Sequence, residues 1–322
     1  MAGLVERARD GQPRAVARLI SLVENDSPVL REVAALLARG GGGAHRERVD
    51  GAAQVVGLTG SPGVGKSTST NALVAALRAA GKRVGVLAVD PSSPFSGGAL
   101  LGDRVRMQDH ATDDGVFIRS MASRGQLGGL SAAVPQALRV LDAAGCDVVL
   151  VETVGVGQAE VEIASLADTT VLVVAPGFGD GIQAAKAGII EIADVFVVNK
   201  ADRDGADQVV RELRHMQSLG GRHSAAGAWR PPIVKTVAAR GEGVDDVLAA
   251  IEKHRGWLAE HGELDRRRQA RAAAEIEAIT LGTVKLRFTS VHGSAALDDA
   301  AGRVVAGETD PYTAADELVA AL

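Results

Sequence analysis

Eight consecutive residues constrain the fold of this 322-residue chain more than any other feature. They read Gly60-Ser61-Pro62-Gly63-Val64-Gly65-Lys66-Ser67 and fit the pattern G-x-x-x-x-G-K-[ST]. This pattern needs a buried strand before it and a helix after it, and the sequence supplies an apolar run at Gln54–Leu58 and helical spacing at Ser67–Ala80. Because the glycines let backbone amides turn inward around an anion, we expect a phosphate-binding strand-loop-helix unit.

The side chains of this loop predict which anion it holds. Lys66 is expected to bridge the β- and γ-phosphates of a nucleotide, and the Ser67 hydroxyl is expected to ligate Mg²⁺. Thr68 follows in the first turn of the helix, where free N–H groups and the positive end of the helix dipole favour phosphate. The sequence therefore predicts a nucleoside triphosphate site with magnesium, formed by residues Gly60 to Thr68.

The remaining apolar runs predict the architecture. From Gln54 onward, short continuous apolar runs alternate with amphipathic helical segments, which is typical of strands covered on both faces in an α/β fold. We therefore predict a doubly wound, mostly parallel sheet. The predicted strands are Gln54–Leu58, Val84–Val89, Val116–Arg119, Val148–Glu152, Thr170–Ala175, Val195–Asn199 and Ile233–Val237.

Helical segments flank this predicted core at both ends. The first of them is expected to end at the four glycines Gly40–Gly43, which have low helix propensity and form a linker. We predict an N-terminal helical segment at 1–43, a P-loop domain at 50–243 and a C-terminal helical arm at 244–322. The predicted flanking helices are Pro13–Val23, Ser27–Arg39, Val244–Leu258, Leu264–Leu281 and Asp310–Leu322.

Composition excludes several classes of protein. The formal net charge of −5 and the eight aromatic residues argue against a general nucleic-acid binder. The single cysteine, Cys146, excludes an intrachain disulfide framework and a multi-cysteine metal site. Apolar runs such as Thr170–Ala175 are far shorter than the roughly 20 residues that span a bilayer, and residues 1–11 contain no signal-peptide core. We expect a cytoplasmic protein that binds neither membrane nor nucleic acid.

A second motif predicts which base is bound. The strand ending at Val198 continues into Asn199-Lys200-Ala201-Asp202. A carboxylate at Asp202 can accept hydrogen bonds from guanine N1–H and its exocyclic amine, and adenine offers neither donor. Asn199 is expected to hold N7 and the neighbouring loop, and the Lys200 stem to lie along the purine. Ala238, after the next strand, is expected to offer its backbone N–H to guanine O6.

Three carboxylates are candidates for the metal and water shell. Glu152 ends an apolar strand, where an acid usually anchors Mg²⁺, and its length predicts that it acts through water. Asp90 ends another strand before proline, and Asp103 follows nearby. Either could support the metal or orient the attacking water. The alternatives are a turn-initiating role for Asp90 and a helix N-cap for Asp103.

The segment after Glu152 predicts how fast hydrolysis runs. The amide of Gly155 is expected to sense the γ-phosphate. No glutamine directly follows Gly155, since the nearest is Gln158. We therefore expect slow intrinsic hydrolysis that a partner accelerates.

Together these motifs resemble the MeaB/ArgK family of G3E-type P-loop GTPases. The resemblance implies a GTPase that binds GTP or GDP with Mg²⁺ and gates adenosylcobalamin delivery to methylmalonyl-CoA mutase, which it protects. It also implies a homodimer built through the C-terminal arm. A third switch loop maps to Gly177–Lys186 and makes Lys186 functional, although from the sequence alone Lys186 reads as a solvated helix residue. The segments that carry the resemblance are Leu22–Glu24, Gly60–Ser67, Asp90–Ser93, Glu152–Gln158, Asn199–Asp202 and Asp310–Ala315.

Three other functions stay open at this stage. A kinase of an arginine/ornithine transport system would pass the γ-phosphate to a protein, and a scaffold would bind nucleotide without turnover. A nickel-inserting GTPase needs soft or imidazole ligands, whereas this chain has one cysteine and seven dispersed histidines.

Two features of the C-terminal arm also allow alternatives. Arg266–Arg268 is expected to be a solvated helix face rather than a phosphate or CoA contact. Apolar positions further along the arm could form a dimer seam or pack on the chain's own core. These positions are Ile276, Ile279, Leu281, Val284 and Leu286.

Overall fold

Seven parallel strands form a single sheet in the described part of the chain. The computed structural model describes residues 1–25, 27, 29–39, 52–90, 107–110, 112–122, 133–153, 159–177, 189–219, 227–289 and 295–320. The strand order is β3-β2-β4-β1-β5-β6-β7, so the predicted doubly wound α/β architecture is confirmed. The strands are β1 (Gln54–Thr59), β2 (Val84–Asp90), β3 (Val116–Ala122), β4 (Val148–Thr153), β5 (Thr169–Val174), β6 (Val195–Val198) and β7 (Ile233–Lys235).

Helices cover both faces of the sheet. Successive strand residues point to opposite faces, so Val55 packs under one helical layer and Val56 under the other. This explains why the strands read as continuous apolar runs. The helices are α1 (Ala2–Arg9), α2 (Pro13–Glu24), α3 (Leu30–Arg39), α4 (Lys66–Ala79), α5 (Val134–Ala143), α6 (Ala159–Leu166), α7 (Ile189–Ile192), α8 (Ala206–Leu219), α9 (Val244–Glu260), α10 (Glu263–Thr289), α11 (Ala295–Val305) and α12 (Pro311–Ala320).

The N-terminal helices share a core with the sheet. Val16 of α2 and Val33 of α3 belong to the same buried cluster as Val149 of β4. Arg119 of the edge strand β3 donates to Glu24 and, at 3.1 Å, to the Ser21 hydroxyl of α2. The three N-terminal helices are therefore part of the sheet domain by packing.

Compactness divides the chain into two units, residues 1–268 and 269–322. This boundary lies beyond the predicted one at 243, because α9 packs its apolar face on the sheet through Val247 and Ile251. In the second unit, Arg303 of α11 donates to Glu317 of α12 at 2.9 Å.

Two sequence predictions for the flanking regions have other outcomes. Helix α11 was not predicted from the sequence. The predicted linker at Gly40–Gly43 lies outside the described residues. Among described helices, none is long and apolar enough to cross a bilayer.

A buried ionic network closes the amino edge of the sheet. Asp194, just before β6, accepts hydrogen bonds at 2.9 Å from both terminal nitrogens of Arg267 in the first turns of α10. His254 of α9 lies with its Nε2 3.3 Å from Asp194 and its Nδ1 2.9 Å from the Thr169 hydroxyl. Burial lowers the pKa of His254 to about 4, so the imidazole is neutral near neutral pH. These contacts fasten the start of α10 to the sheet.

The neighbouring arginines of α10 differ in environment. Arg266 is exposed and pairs with Glu263, which confirms the expected solvated face for this residue. For Arg267 and Arg268 that expectation is wrong, because Arg267 binds Asp194 and Arg268 lies 3.5 Å from the buried Asp168. Asp168 and Asp194 lie just before strands β5 and β6 and are buried partners for the two guanidinium groups. Helix periodicity alone does not predict such partners, because they belong to other elements.

Candidate nucleotide site

The glycine-rich loop lies at the carboxyl edge of the sheet, between β1 and α4. Gly60 and Gly65 have φ angles of +141° and +98°, in the region that favours glycine. A Cβ on Gly60 would lie 2.1 Å from the Val173 carbonyl oxygen, and one on Gly65 would lie 2.3 Å from Asn199 Nδ2. A side chain at either position would therefore clash with residues at the ends of neighbouring strands. The backbone angles at both positions also favour glycine.

Lys66 is the buried cation of the loop. Its Nζ donates to the carbonyl oxygens of Gly60 at 2.6 Å and Ser61 at 3.0 Å. Both of these acceptors are uncharged, and an ionised phosphate oxygen is a stronger acceptor for an ammonium group. The position of Lys66 at the amino end of α4 therefore suits the predicted phosphate contact.

Ser67 and Glu152 meet at the same edge of the sheet. Ser67 Oγ donates to Glu152 Oε1 at 2.5 Å, and Thr70 Oγ1 lies 3.0 Å from Glu152 Oε2. Glu152 is buried at the end of β4, which lies next to β1. Hydroxyl and carboxylate oxygens are hard ligands of the kind that Mg²⁺ prefers, so these residues fit the predicted metal. That Glu152 acts through water stays a prediction.

Asn199 and Lys200 brace the glycine-rich loop from the end of β6. Asn199 Nδ2 donates to the Val64 carbonyl at 2.9 Å, and Lys200 Nζ donates to the Gly63 carbonyl at 2.6 Å. Lys200 has φ +56°, an uncommon angle for a residue with a side chain. The predicted loop-holding role of Asn199 therefore has a geometric basis, and these contacts join the motif predicted to bind the base to the loop predicted to bind phosphate.

Asn199 also contacts the loop that follows β7. Its Oδ1 accepts hydrogen bonds from the Ala238 amide at 3.1 Å and the Thr236 hydroxyl at 3.2 Å. The Ala238 amide thus lies beside Asn199 of the motif predicted to bind the base, and its donation to guanine O6 stays a prediction. Sequence reasoning missed the Thr236 hydroxyl, because a threonine at a strand end carries no distinctive pattern.

Asp202, the predicted guanine reader, is partly exposed at this edge. Arg240 Nη1 lies 3.6 Å from Asp202 Oδ2, and Arg240 Nε donates to Glu242 at 2.7 Å. The hydrogen bond that Arg240 donates to Glu242, together with the charges of Glu242 and Asp202, raises the pKa of Arg240. A carboxylate has two oxygens that can accept the two hydrogen bonds predicted from guanine.

Other predicted site residues fall partly or wholly outside the described residues. Asp103, Gly155 and Lys186 lie outside them. Asp90 ends β2 opposite Ala122, and its side chain is not described. Among the described site residues, Ser61 is half-buried in the loop, and Pro62 and Thr68 are exposed.

The described residues offer no cluster of three or more histidine, cysteine, aspartate or glutamate side chains that could hold a metal ion. Cys146 is buried. A nickel site therefore finds no ligand set in this part of the chain.

A family profile described as methylmalonyl Co-A mutase-associated GTPase MeaB matches residues 16–292. A protein from Pyrococcus abyssi is 47% identical over 316 residues, which are 98% of this chain and 95% of that relative. GTPase ArgK of Escherichia coli is 36% identical over 271 residues, 84% of this chain and 80% of that protein.

A solved structure extends the likeness to three dimensions. The crystal structure of an LAO/AO transport system kinase superposes with a TM-score of 0.69 at 28% identity, covering 98% of this chain and 95% of that one. The glycine-rich loop with Lys66 and the bracing residue Asn199 agree with this assignment. The chain therefore belongs to the MeaB family of P-loop GTPases, and it is a GTP hydrolase.

Proposed function

We propose that this GTPase gates the loading of adenosylcobalamin into methylmalonyl-CoA mutase and protects the loaded mutase. The observation that carries the proposal is the family match, which covers residues 16–292 and so includes most of N-terminal helix α2 and all of α10 in addition to the nucleotide site. A nucleotide-binding core alone would leave these helices without a reason for their likeness to a mutase-associated protein.

The site residues have distinct tasks in the proposed reaction. Lys66 holds the β- and γ-phosphates, and the loop amides between Gly60 and Ser67 bind phosphate oxygens. Ser67 and Glu152 would hold Mg²⁺, which when bound neutralises charge that develops on the phosphates. Gly155 would sense the γ-phosphate, and Asp90 or Asp103 would orient the attacking water. Catalysis on this proposal is positioning and charge stabilisation.

Asn199, Lys200 and Asp202 select guanine in the proposed site. Asn199 and Lys200 already contact the glycine-rich loop, so the base and the phosphates would be read by one connected structure. Asp202 would discriminate against ATP because its carboxylate would lack donors on adenine. The amide of Ala238 would complete the contact at O6.

We also propose a homodimer through the C-terminal arm. Ile276, Ile279 and Leu281 of α10 are exposed in this single chain. Exposed aliphatic side chains grouped on one helix are typical of a protein interface. This supports a seam between two copies rather than packing on the chain's own core.

The proposal is tested by mixing the chain with methylmalonyl-CoA mutase. We expect slow release of phosphate from GTP by the chain alone, faster release with the mutase, and cofactor transfer that depends on the bound nucleotide. Lys66→Ala is the matched control, and it should abolish both effects.

Each other outcome has its own meaning. Labelled phosphate on a protein would support the transport-kinase function. Undiminished mutase protection by the Lys66→Ala variant would support a scaffold without turnover. The role of Lys186 is tested in the same assay, where its replacement should remove stimulation by the mutase and leave the basal rate.

A further inference from the structure

Thr70 lies on the same face of α4 as the predicted metal ligand Ser67. The two residues are three positions apart, a spacing that places side chains on one side of a helix. Thr70 is fully buried, and it faces the tip of β4, where Glu152 is the last residue but one of the strand. No motif pattern includes this threonine.

The two oxygens of Glu152 are divided between two hydroxyls. Oε1 accepts from Ser67 at 2.5 Å, and Oε2 lies 3.0 Å from the Thr70 hydroxyl. The Thr70 oxygen is also 3.0 Å from the Lys66 carbonyl, one helical turn earlier. A hydroxyl has one proton, and an ionised carboxylate is a stronger acceptor than a peptide carbonyl. The Thr70 proton therefore goes to Glu152.

We propose that Thr70 is a positioning residue that keeps Glu152 aimed at Ser67 for magnesium binding. With Oε2 held by Thr70, Oε1 receives the Ser67 proton and leaves the lone pairs of the Ser67 oxygen for a metal ion. This inference rests on the proposed use of Mg²⁺ with GTP. It assigns Thr70 to the affinity for the metal and not to recognition of the base.

A purely structural role makes a different prediction. If Thr70 only bonds back to the Lys66 carbonyl, its loss affects the helix and nucleotide affinity equally with and without metal. Thr280 of α10 provides the matched control, because its hydroxyl donates to the Ile276 carbonyl at 2.8 Å with the same spacing. Among the described residues, the Thr280 hydroxyl does not bind a carboxylate.

The test measures the affinity of the full chain for a non-hydrolysable GTP analogue by calorimetry over a range of Mg²⁺ concentrations. For Thr70→Val we expect the Mg²⁺ concentration at half-maximal effect to rise about tenfold, as for other residues that orient metal ligands. With EDTA, the affinity should stay within about twofold of the native chain. Thr70→Ser should restore the native Mg²⁺ dependence, and Thr280→Val should not change it.

Two results would overturn the inference. An unchanged Mg²⁺ dependence in Thr70→Val, with a clear dependence in the native chain, removes the role of Thr70 and leaves the proposed function intact. An analogue affinity in the native chain that is indifferent to Mg²⁺ removes the metal from the proposed function and this inference with it. Thermal denaturation checks folding, and Thr70→Ala supplies the same test if valine is not accommodated.

Discussion

The two edges of one sheet use polar groups in opposite ways. At the amino edge, Asp194 binds Arg267 and lies against His254, and all of these groups are fixed by other side chains. At the carboxyl edge, Lys66 and Lys200 donate to uncharged carbonyls of the glycine-rich loop. Strand β6 runs between the two edges, from the residue after Asp194 to the residue before Asn199.

This difference separates stability from binding. Charges at the amino edge already have charged partners in the protein, so their removal leaves a buried charge uncompensated. The lysines at the carboxyl edge donate to neutral carbonyl oxygens. A phosphate can replace these acceptors, because a hydrogen bond from an ammonium group to an ionised oxygen is stronger than one to a neutral carbonyl. Mutations at the first edge should therefore lower the free energy of unfolding, and mutations at the second should lower nucleotide affinity.

The largest expected effect is the loss of the Arg267 cation. Arg267→Met leaves the Asp194 carboxylate buried without its guanidinium partner, and we expect the free energy of unfolding to fall by about 3–5 kcal/mol. Chemical denaturation measures this loss. Arg266→Met, one residue earlier and exposed, is the control and should change it by less than about 0.5 kcal/mol. Equal losses in the two variants would refute the contrast between the edges.

The next effect is the pH dependence carried by His254. Its pKa is lowered to about 4 in the folded chain, so below the ordinary value of 6.5 the unfolded chain binds more protons than the folded one. Stability is therefore fully present above pH 6.5 and is lost as the pH falls. Between pH 7 and pH 5 we expect the free energy of unfolding to fall by about 2 kcal/mol.

Tryptophan fluorescence reports this unfolding, because Trp229 and Trp257 both lie close to His254. His254→Gln is the control, and its unfolding free energy should depend less on pH over the same interval. If the native chain and this variant show the same pH dependence, His254 is not the group that titrates.

A smaller effect is expected for Asp202 at the carboxyl edge. Asp202→Ala removes the acceptor for guanine, and we expect the preference for GTP over ATP to fall about tenfold, roughly 1.4 kcal/mol. Competition binding with the two nucleotides measures this ratio. Asp204→Ala, an exposed neighbour, should keep the native preference. A variant at Asp202 that still prefers GTP would mean that guanine is read elsewhere.

The smallest effect is expected for Arg240. Its ion pairs with Asp202 and Glu242 are exposed to solvent, where such pairs contribute little to stability. Arg240→Ala should leave the denaturation midpoint unchanged within error, in contrast to Arg267→Met. A clear shift of the midpoint would show that solvent exposure does not explain the difference between the two arginines.

Much of the fold was predictable, because its strands and its glycine-rich loop are marked by residue patterns at short sequence spacing. The inner strands β1, β4, β5 and β6 are buried on both faces and read as apolar runs, and each predicted run contains or overlaps an observed strand. The glycine-rich loop was recognisable because its backbone geometry demands glycine at fixed positions such as Gly60 and Gly65. Helix α11 was missed because its pattern is alanine-rich and has few apolar positions to mark a face.

The residues that act across the fold were not predictable in the same way. Asp168, Asp194, His254 and Arg267 are far apart in the sequence, and none belongs to a motif. Nothing in the sequence distinguishes Thr70 and Thr236 from other threonines. Their roles become visible only in the fold, where Thr70 contacts Glu152 and Thr236 contacts Asn199. Sequence spacing reports neighbours on one element, and these contacts join different elements.

The amino-acid sequence by itself determined the parallel sheet, the glycine-rich loop and the order in which the motifs predicted to bind phosphate and base follow one another. These features depend on residue type at short spacing, which is where backbone geometry and burial act. Only the tertiary structure decided that Asn199 braces Val64, that Thr70 reaches Glu152, and that Arg267 is half-buried against Asp194 while Arg266 is exposed. Such pairings depend on which strand ends lie side by side, and the strand order of the sheet sets that.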